Sequence, residues 1–250
     1  MKRTLITCAN SGIGAEIARR VSGNDKLLLA SRDLNKLAKL AANLEASSEL
    51  YQLDFFDSAS VEQCTSQIIQ QGKVDNLVLI LPRVAPSNKV FPSEQDWLKL
   101  FNNYFVKPLS LLKGLVEREA LNNGAKVVLI SGLSTKSAMS HYAMNNCLRN
   151  AWLGQAKTMA LALGEKGISV NTLSLGGVMT KAYTDKLKGK AEQAGVPFEE
   201  LMQDEVSNIP LKKYASVEEV ADAVLSLLGP LANHMTGQNI LLDGGFFKGY

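Results

Sequence analysis

Residues 1–21 read MKRTLITCANSGIGAEIARRV, and the order of residue types in them decides the architecture. Thr4, Leu5, Ile6 and Thr7 form a short run suited to a buried strand. Asn10, Ser11, Gly12 and Gly14 make a tight turn, and Ala15 to Val21 carries apolar residues at helical spacing. A strand that enters a helix through glycines offers a place for phosphate. Glycine lets backbone and ligand approach closely, and the unpaired N–H groups of the first helical turn, at the positive end of the dipole, point at the anion. The same residues also suit a plain strand-to-helix turn, so the rest of the chain has to decide between the two.

Outward from this stretch, the pattern repeats. Apolar runs at Lys26–Ala30, Leu50–Leu53, Asn76–Leu81, Lys126–Ile130, Ile168–Leu173 and Asn239–Leu242 read as strands. Helical spacing lies between them: Leu34 to Leu44, Val61 to Ile69, Trp97 to Phe105, Leu109 to Val116, Tyr142 to Leu163 and Val217 to Leu228. A run such as NLVLIL (76–81), without polar alternation, is how a strand covered on both faces reads. Alternating strands and helices of this kind predict an α/β chain with a doubly wound parallel sheet and right-handed crossovers. In such sheets a dinucleotide pyrophosphate sits at the turn after the first strand, which favours the phosphate reading. Residues 1–250 are expected to form a single dinucleotide-binding domain, with the polar, Lys-rich segment 181–208 acting as a lid.

Composition narrows the function. The chain has 250 residues, 46% hydrophobic and 20% charged, with a net charge of +3, and no Lys/Arg run interleaves with aromatics, so nucleic acid is not an expected partner. No apolar stretch reaches the roughly 18 residues needed to span a bilayer, and the N-terminus enters a strand too soon for a signal peptide. Cys8, Cys64 and Cys147, odd in number and far apart, suit free thiols in a reducing cytoplasm. With only two histidines, His141 and His234, and no CxxC or HExxH, no metal site is expected.

At the level of motifs the chain resembles the short-chain dehydrogenase/reductase family nearly end to end. The family's TGxxxGxG turn stands as TCANSGIG (7–14). Its Tyr-centred helix stands as YAMNNCLRNAWLGQAKTMALALGEKGISVN (142–171), and its closing segment as SVEEVADAVLSLLGPLANHMTGQNILLDGG (216–245). The resemblance implies a Rossmann-like sheet of about seven strands, a nicotinamide dinucleotide, hydride exchange with a carbonyl or alcohol carbon of a small-molecule substrate, and a homotetramer or homodimer. It assigns cofactor contacts to Thr7, Asn10, Ser11, Gly12, Ile13 and Gly14 in the turn. Ser31 and Arg32 follow at the end of the second strand, Asp54 and Phe55 at the end of the third, and Thr180 after the sixth. Arg32, with no acid before Asp33, matches the pattern for NADP rather than NAD, because a guanidinium accommodates the 2′-phosphate that a carboxylate repels.

Around the chemistry the pattern departs from the family. Tyr142 stands in the position of the catalytic Tyr, but the residue four further on, normally Lys, is Asn146. A free Tyr has a pKa of about 10, and a close ammonium lowers it by roughly 1–3 units. Loss of that charge is worth on the order of 1.4–4 kcal/mol to a step that needs the phenolate. The serine that fixes the substrate oxygen falls on Gly132, which leaves Ser131 or Ser134 as candidates. Asn103 is the candidate for the relay Asn, with Tyr104 the alternative. Cys8 replaces the first glycine of the turn and LILP (79–82) replaces the usual NNAG, so that Cys8 and Pro82 are expected to crowd the cofactor. Three readings follow: an NADP(H)-dependent oxidoreductase with an altered site at Tyr142, Ser131, Asn103 and Asn146; an inactive relative acting as scaffold or partner of another reductase; or a non-redox lyase or isomerase.

Overall fold

The computed structural model describes residues 1–21 and 23–249. Its strands are β1 (Arg3–Thr7), β2 (Lys26–Ser31), β3 (Ser47–Gln52), β4 (Val74–Leu79), β5 (Leu121–Gly132), β6 (Ser169–Leu175) and β7 (Asn239–Leu242). They form one sheet in the order β3-β2-β1-β4-β5-β6-β7, and every pairing is parallel. The helices are α1 (Gly12–Arg20), α2 (Leu34–Ala41), α3 (Ser58–Gln70), α4 (Glu94–Phe101), α5 (Lys107–Glu117), α6 (Ala143–Leu163), α7 (Lys181–Ala194), α8 (Phe198–Glu205) and α9 (Val217–Leu228). No helix is long and apolar enough to cross a membrane among the described residues.

Period-two alternation within each apolar strand distributes the core over both faces. Leu5, Leu28, Leu77 and Val127 face one side, against Ile68, Leu111, Leu115 and Trp152. Ile6, Leu27, Val78 and Val128 face the other, against Ile17, Leu37, Val220 and Val224. Each fully buried Leu or Ile adds about 2 kcal/mol of hydrophobic stabilisation, and helices on both faces are what hold a parallel sheet together. β1 lies between β2 and β4, so the winding reverses there and a crevice opens beyond the carboxyl ends of the central strands.

Several strand boundaries differ from the sequence reading, β5 most, since it begins at Leu121 instead of Lys126; at two of them the contacts give the reason. β3 starts at Ser47 instead of Leu50: as an edge strand it needs no apolar run. β4 ends at Leu79 because the next amide, Ile80 N–H, donates to Thr7 Oγ1 (2.8 Å) instead of continuing the ladder. The segment 181–208 folds as α7 and α8 around a small apolar cluster of Leu187, Ala191 and Leu201, joined by Tyr183, Phe198 and Tyr214.

Candidate active site

The phosphate turn comes first. α1 opens at Ser11 without a side-chain cap, which leaves its first N–H groups facing a hollow lined by Asn10, Ser11 and Gly12. Gly12 adopts φ +54°, and a Cβ built there lies 3.7 Å from the Thr180 methyl, so Thr180 stands over the turn. Gly14 is irreplaceable: a Cβ would lie 2.6 Å from the Cys8 carbonyl oxygen and 2.9 Å from Ala9 Cα. Cys8 itself takes φ +50°, the left-handed region that a glycine fills without strain. Burial pushes its thiol up to about 11, partly offset by Arg32, so it stays protonated at neutral pH and is no activated thiolate.

The hollow beside the turn also holds Arg19, Lys36 and Lys39. Asp33 caps the start of α2 by accepting from Lys36 N–H (3.0 Å), Lys36 Nζ pairs with the same carboxylate (3.6 Å), and Arg19 pairs with Glu16 (3.0 Å). The sequence reading singled out only Arg32, although the basic residues three apart at the start of α2 were a usable signal. Arg32 extends from the end of β2 over the Phe56 ring, 5.8 Å from its centroid, and Phe56 meets Tyr104 edge to face at 5.1 Å.

Several expected cofactor contacts are occupied within the protein. Thr7 is fully buried, and its hydroxyl donates to the Ile80 carbonyl (2.7 Å) while accepting from Ile80 N–H, so its side chain locks β1 to β4. Phe55 is a core residue at 1% exposure, so only its backbone can face a ligand. Asp54 accepts from Phe56 N–H (2.9 Å). Ser31 is buried and exchanges hydrogen bonds with the Asp33 backbone. The Thr180 hydroxyl accepts from Tyr183 N–H as the cap of α7.

The reaction region centres on two adjoining cavities. One, of about 330 Å³, runs from Ile13 past Leu79–Val84 and Ser131 to Tyr104, Tyr142, Asn145 and Trp152. The other, of about 550 Å³, lies between the loops after β5 and β6 and the segment of α7 and α8, with Tyr183, Glu205 and Asn208 in its wall. Arg83, Tyr142, Arg149 and Leu175 line both and so form the neck between them. Pro82 is a wall of the first cavity and does not close it.

The residues expected to carry the chemistry divide. Tyr142 is the residue that caps the start of α6, and its hydroxyl bonds to no group among the described residues. Ser131 reaches the first cavity, whereas Ser134 is buried and accepts from Arg149 Nη1 (3.0 Å). Asn146 turns away from the neck: its amide donates to the Met139 carbonyl (3.0 Å) and accepts from Met139 N–H (3.4 Å). It holds the loop before Tyr142 and lines neither cavity. Asn103 also turns away, accepting from Lys107 Nζ (3.2 Å), which donates as well to the Phe56 carbonyl (2.6 Å). The cause is a π-helical turn at Asn102–Val106 between α4 and α5, which shifts the helix phase and turns Tyr104 to the cavity. Spacing alone could not reveal that. Trp152 Nε1 donates to the Tyr104 carbonyl (2.9 Å).

Sequence reasoning missed Asn145 and set Arg149 aside, because at seven residues after Tyr142 it lies roughly two helical turns further on. With Tyr142 they recur at intervals of three and four along α6, one face of the helix. Asn145 is 4% exposed and lines the first cavity, and its side chain makes no hydrogen bond among the described residues. Arg149 enters the space left by the missing side chain of Gly132: a Cβ there would lie 2.5 Å from Cζ and 2.6 Å from Nη1. Burial lowers its pKa while Tyr142 nearby favours its charge.

These features belong to a known family. A family model described as enoyl-(acyl carrier protein) reductase matches residues 8–247, and the chain belongs to the short-chain dehydrogenase/reductase family. It is 27% identical to the 3-oxoacyl-(acyl-carrier-protein) reductase FabG of Rickettsia felis over 249 residues, covering 98% of this chain and 96% of the relative. It is 26% identical to the NADPH-dependent reductase BacG of Bacillus subtilis over 255 residues, 99% and 98% of the two chains. In fold it is similar to L-sorbose reductase from Gluconobacter frateurii, solved with NADPH and L-sorbose, with a TM-score of 0.89 at 21% identity over 100% and 97% of the chains. The relatives are oxidoreductases, and the chain is read as one of that type.

Proposed function

We propose that this protein is an NADP(H)-dependent oxidoreductase that interconverts a carbonyl and an alcohol, with Tyr142 as the proton donor and acceptor. The observation that carries the reading is the Tyr142 hydroxyl, unbonded among the described residues at the neck between two cavities. One cavity begins at Ile13 of the phosphate turn and the other is large enough for a small substrate.

The residues present fit the dinucleotide. The uncapped start of α1 presents N–H groups to a diphosphate, and Gly12 leaves room above the turn. Arg32, Lys36 and Lys39 supply positive charge for a 2′-phosphate. NADPH-dependent behaviour in the relative BacG supports the same choice. When bound, the dinucleotide supplies hydride exchange with the substrate carbon. Tyr142 gives its proton to the carbonyl oxygen in reduction and takes it back in oxidation, so atoms and charge balance. Arg149 places a guanidinium beside Tyr142 at the neck. The α7–α8 segment contributes Tyr183 and Glu205 to the wall of the second cavity. Exposed Leu98, Val106 and Leu161 on α4, the π turn and α6 support assembly as a homodimer or homotetramer, whereas Trp152 and Met159 are core. Three unpaired cysteines suit the cytoplasm.

The test is turnover. A panel of small ketones with NADPH, followed by nicotinamide absorbance, should show reduction that falls about 10²–10⁴-fold in Tyr142→Phe with NADPH binding retained. Turnover that survives Tyr142→Phe would assign the proton to another group.

A further inference from the structure

Arg149 poses a question that its neighbours do not answer. Its guanidinium is part-buried, yet no carboxylate pairs with it among the described residues. Its one protein partner is neutral, the Ser134 hydroxyl. A guanidinium has five N–H donors in a planar fork that matches a carboxylate, and a buried charge without a partner is costly. Asn145, one helical turn before it, presents an amide to the same space, 4% exposed and unbonded. Arg83, exposed at the rim of the neck, also has no carboxylate partner among the described residues.

The acids nearby are already engaged. Glu205 pairs with Lys190 and accepts from the Tyr214 hydroxyl (3.1 Å), and its pKa is lowered chiefly by Lys190. Asp243 accepts from Gly245 N–H and Phe247 N–H, both at 2.9 Å. Glu205 and Asp243 line only the second cavity, whereas Arg83 and Arg149 line both, so the charged side chains at the neck itself are positive beside Tyr142.

Resting on the oxidoreductase reading above, we propose that Arg149, with Asn145 and Arg83, forms a carboxylate-binding subsite at the neck, so that the substrate is an oxo acid or the corresponding hydroxy acid. The carboxylate lies on the guanidinium fork and the neighbouring carbonyl oxygen on Tyr142. Gly132 is the enabling residue: any side chain there would meet the guanidinium at 2.5–2.8 Å. The substitution that removes the expected serine and the arrival of Arg149 are thus one structural change.

The test uses the full-length protein and the fluorescence of Trp152, which lines the first cavity. 2-Oxobutanoate and acetoacetate are titrated against their ethyl esters and inorganic phosphate, first without nucleotide and then with NADPH. The acids should bind at least tenfold tighter than the esters and phosphate. Arg149→Met should abolish that preference, Arg149→Lys should keep part of it, and NADPH affinity should change less than threefold. Gly132→Ser, which crowds the guanidinium from the opposite side, should also reduce the preference and serves if Arg149→Met fails to fold. Esters that bind as well as acids, phosphate that binds more tightly than either, no saturation by the acids, or a preference untouched by Arg149→Met would each overturn the proposal. So would Arg149→Met weakening NADPH tenfold with the acids unaffected, which would make Arg149 a cofactor ligand. The nucleotide-free arm keeps this result separate from any failure of NADPH to bind.

Discussion

Two turns at the crest of the sheet depart from the family pattern in different ways. The turn after β1 keeps its geometry where its residues changed: Cys8 adopts φ +50° in a glycine's place, and Gly12 and Gly14 remain. In the region after β5 the groups themselves differ from the family pattern: Gly132 carries no side chain, Asn146 holds a loop, and the Arg149 guanidinium lies where a Gly132 side chain would project. The contrast teaches that a phosphate turn is constrained by backbone, which a small side chain follows at Cys8, where only the dihedral is unusual, and cannot follow at Gly14, where a Cβ would meet backbone atoms. A reaction centre is constrained by chemistry, which a different residue reaching in from another helical turn can supply.

The largest expected effect strikes the first turn. In Gly14→Ala the new Cβ meets backbone at 2.6 Å, where nothing flexible can yield. We expect about 3 kcal/mol of destabilisation, a fall in melting temperature of about 6–12 °C, and loss of NADPH binding, read by thermal denaturation with and without nucleotide. An unchanged melting temperature would show that the turn is more pliant than its contacts imply.

At the second region the expected effect is smaller. Asn146→Ala removes the two hydrogen bonds to Met139 and should cost about 1 kcal/mol. Turnover should change less than tenfold, because Asn146 touches neither cavity. A loss as large as that of Tyr142→Phe would return Asn146 to the catalytic group.

The smallest effect is a pH dependence. With its thiol pushed up to about 11 by burial, Cys8 has about one thiolate in a thousand at pH 8. Because the shift is upward, the reactive form grows about tenfold per pH unit until pH approaches that value. Iodoacetamide at pH 8, read by mass spectrometry, should therefore modify exposed Cys147 well before Cys8. Equal labelling would mean that Cys8 ionises well below that value.

The same contrast explains what the sequence disclosed. The parallel sheet was legible because Leu27–Leu29 and Leu77–Leu79 are apolar on both faces, which only a covered strand permits. Gly12, Gly14 and Arg32 were legible as a phosphate turn with a cation beside it, because their spacing is local. The reaction centre was not. Asn103 and Tyr104 exchange places through a π turn that leaves no mark in composition. Arg149 gains its place from the absence of an atom at Gly132, seventeen residues earlier in the chain and adjacent only after folding. Thr7 and Phe55 sat where cofactor contacts were expected, yet their side chains are bonded or buried in the core. A local motif cannot tell a residue's backbone role from its side-chain role.

The most direct test of the account is a titration of the wild-type protein with NADPH and with NADH, followed by tryptophan fluorescence, since Trp152 borders the cavity. We predict a saturable change with NADPH in the micromolar range and at least tenfold weaker binding of NADH, as the cations beside the first turn require. No saturation by either nucleotide at millimolar concentration would contradict the assignment and leave only the fold.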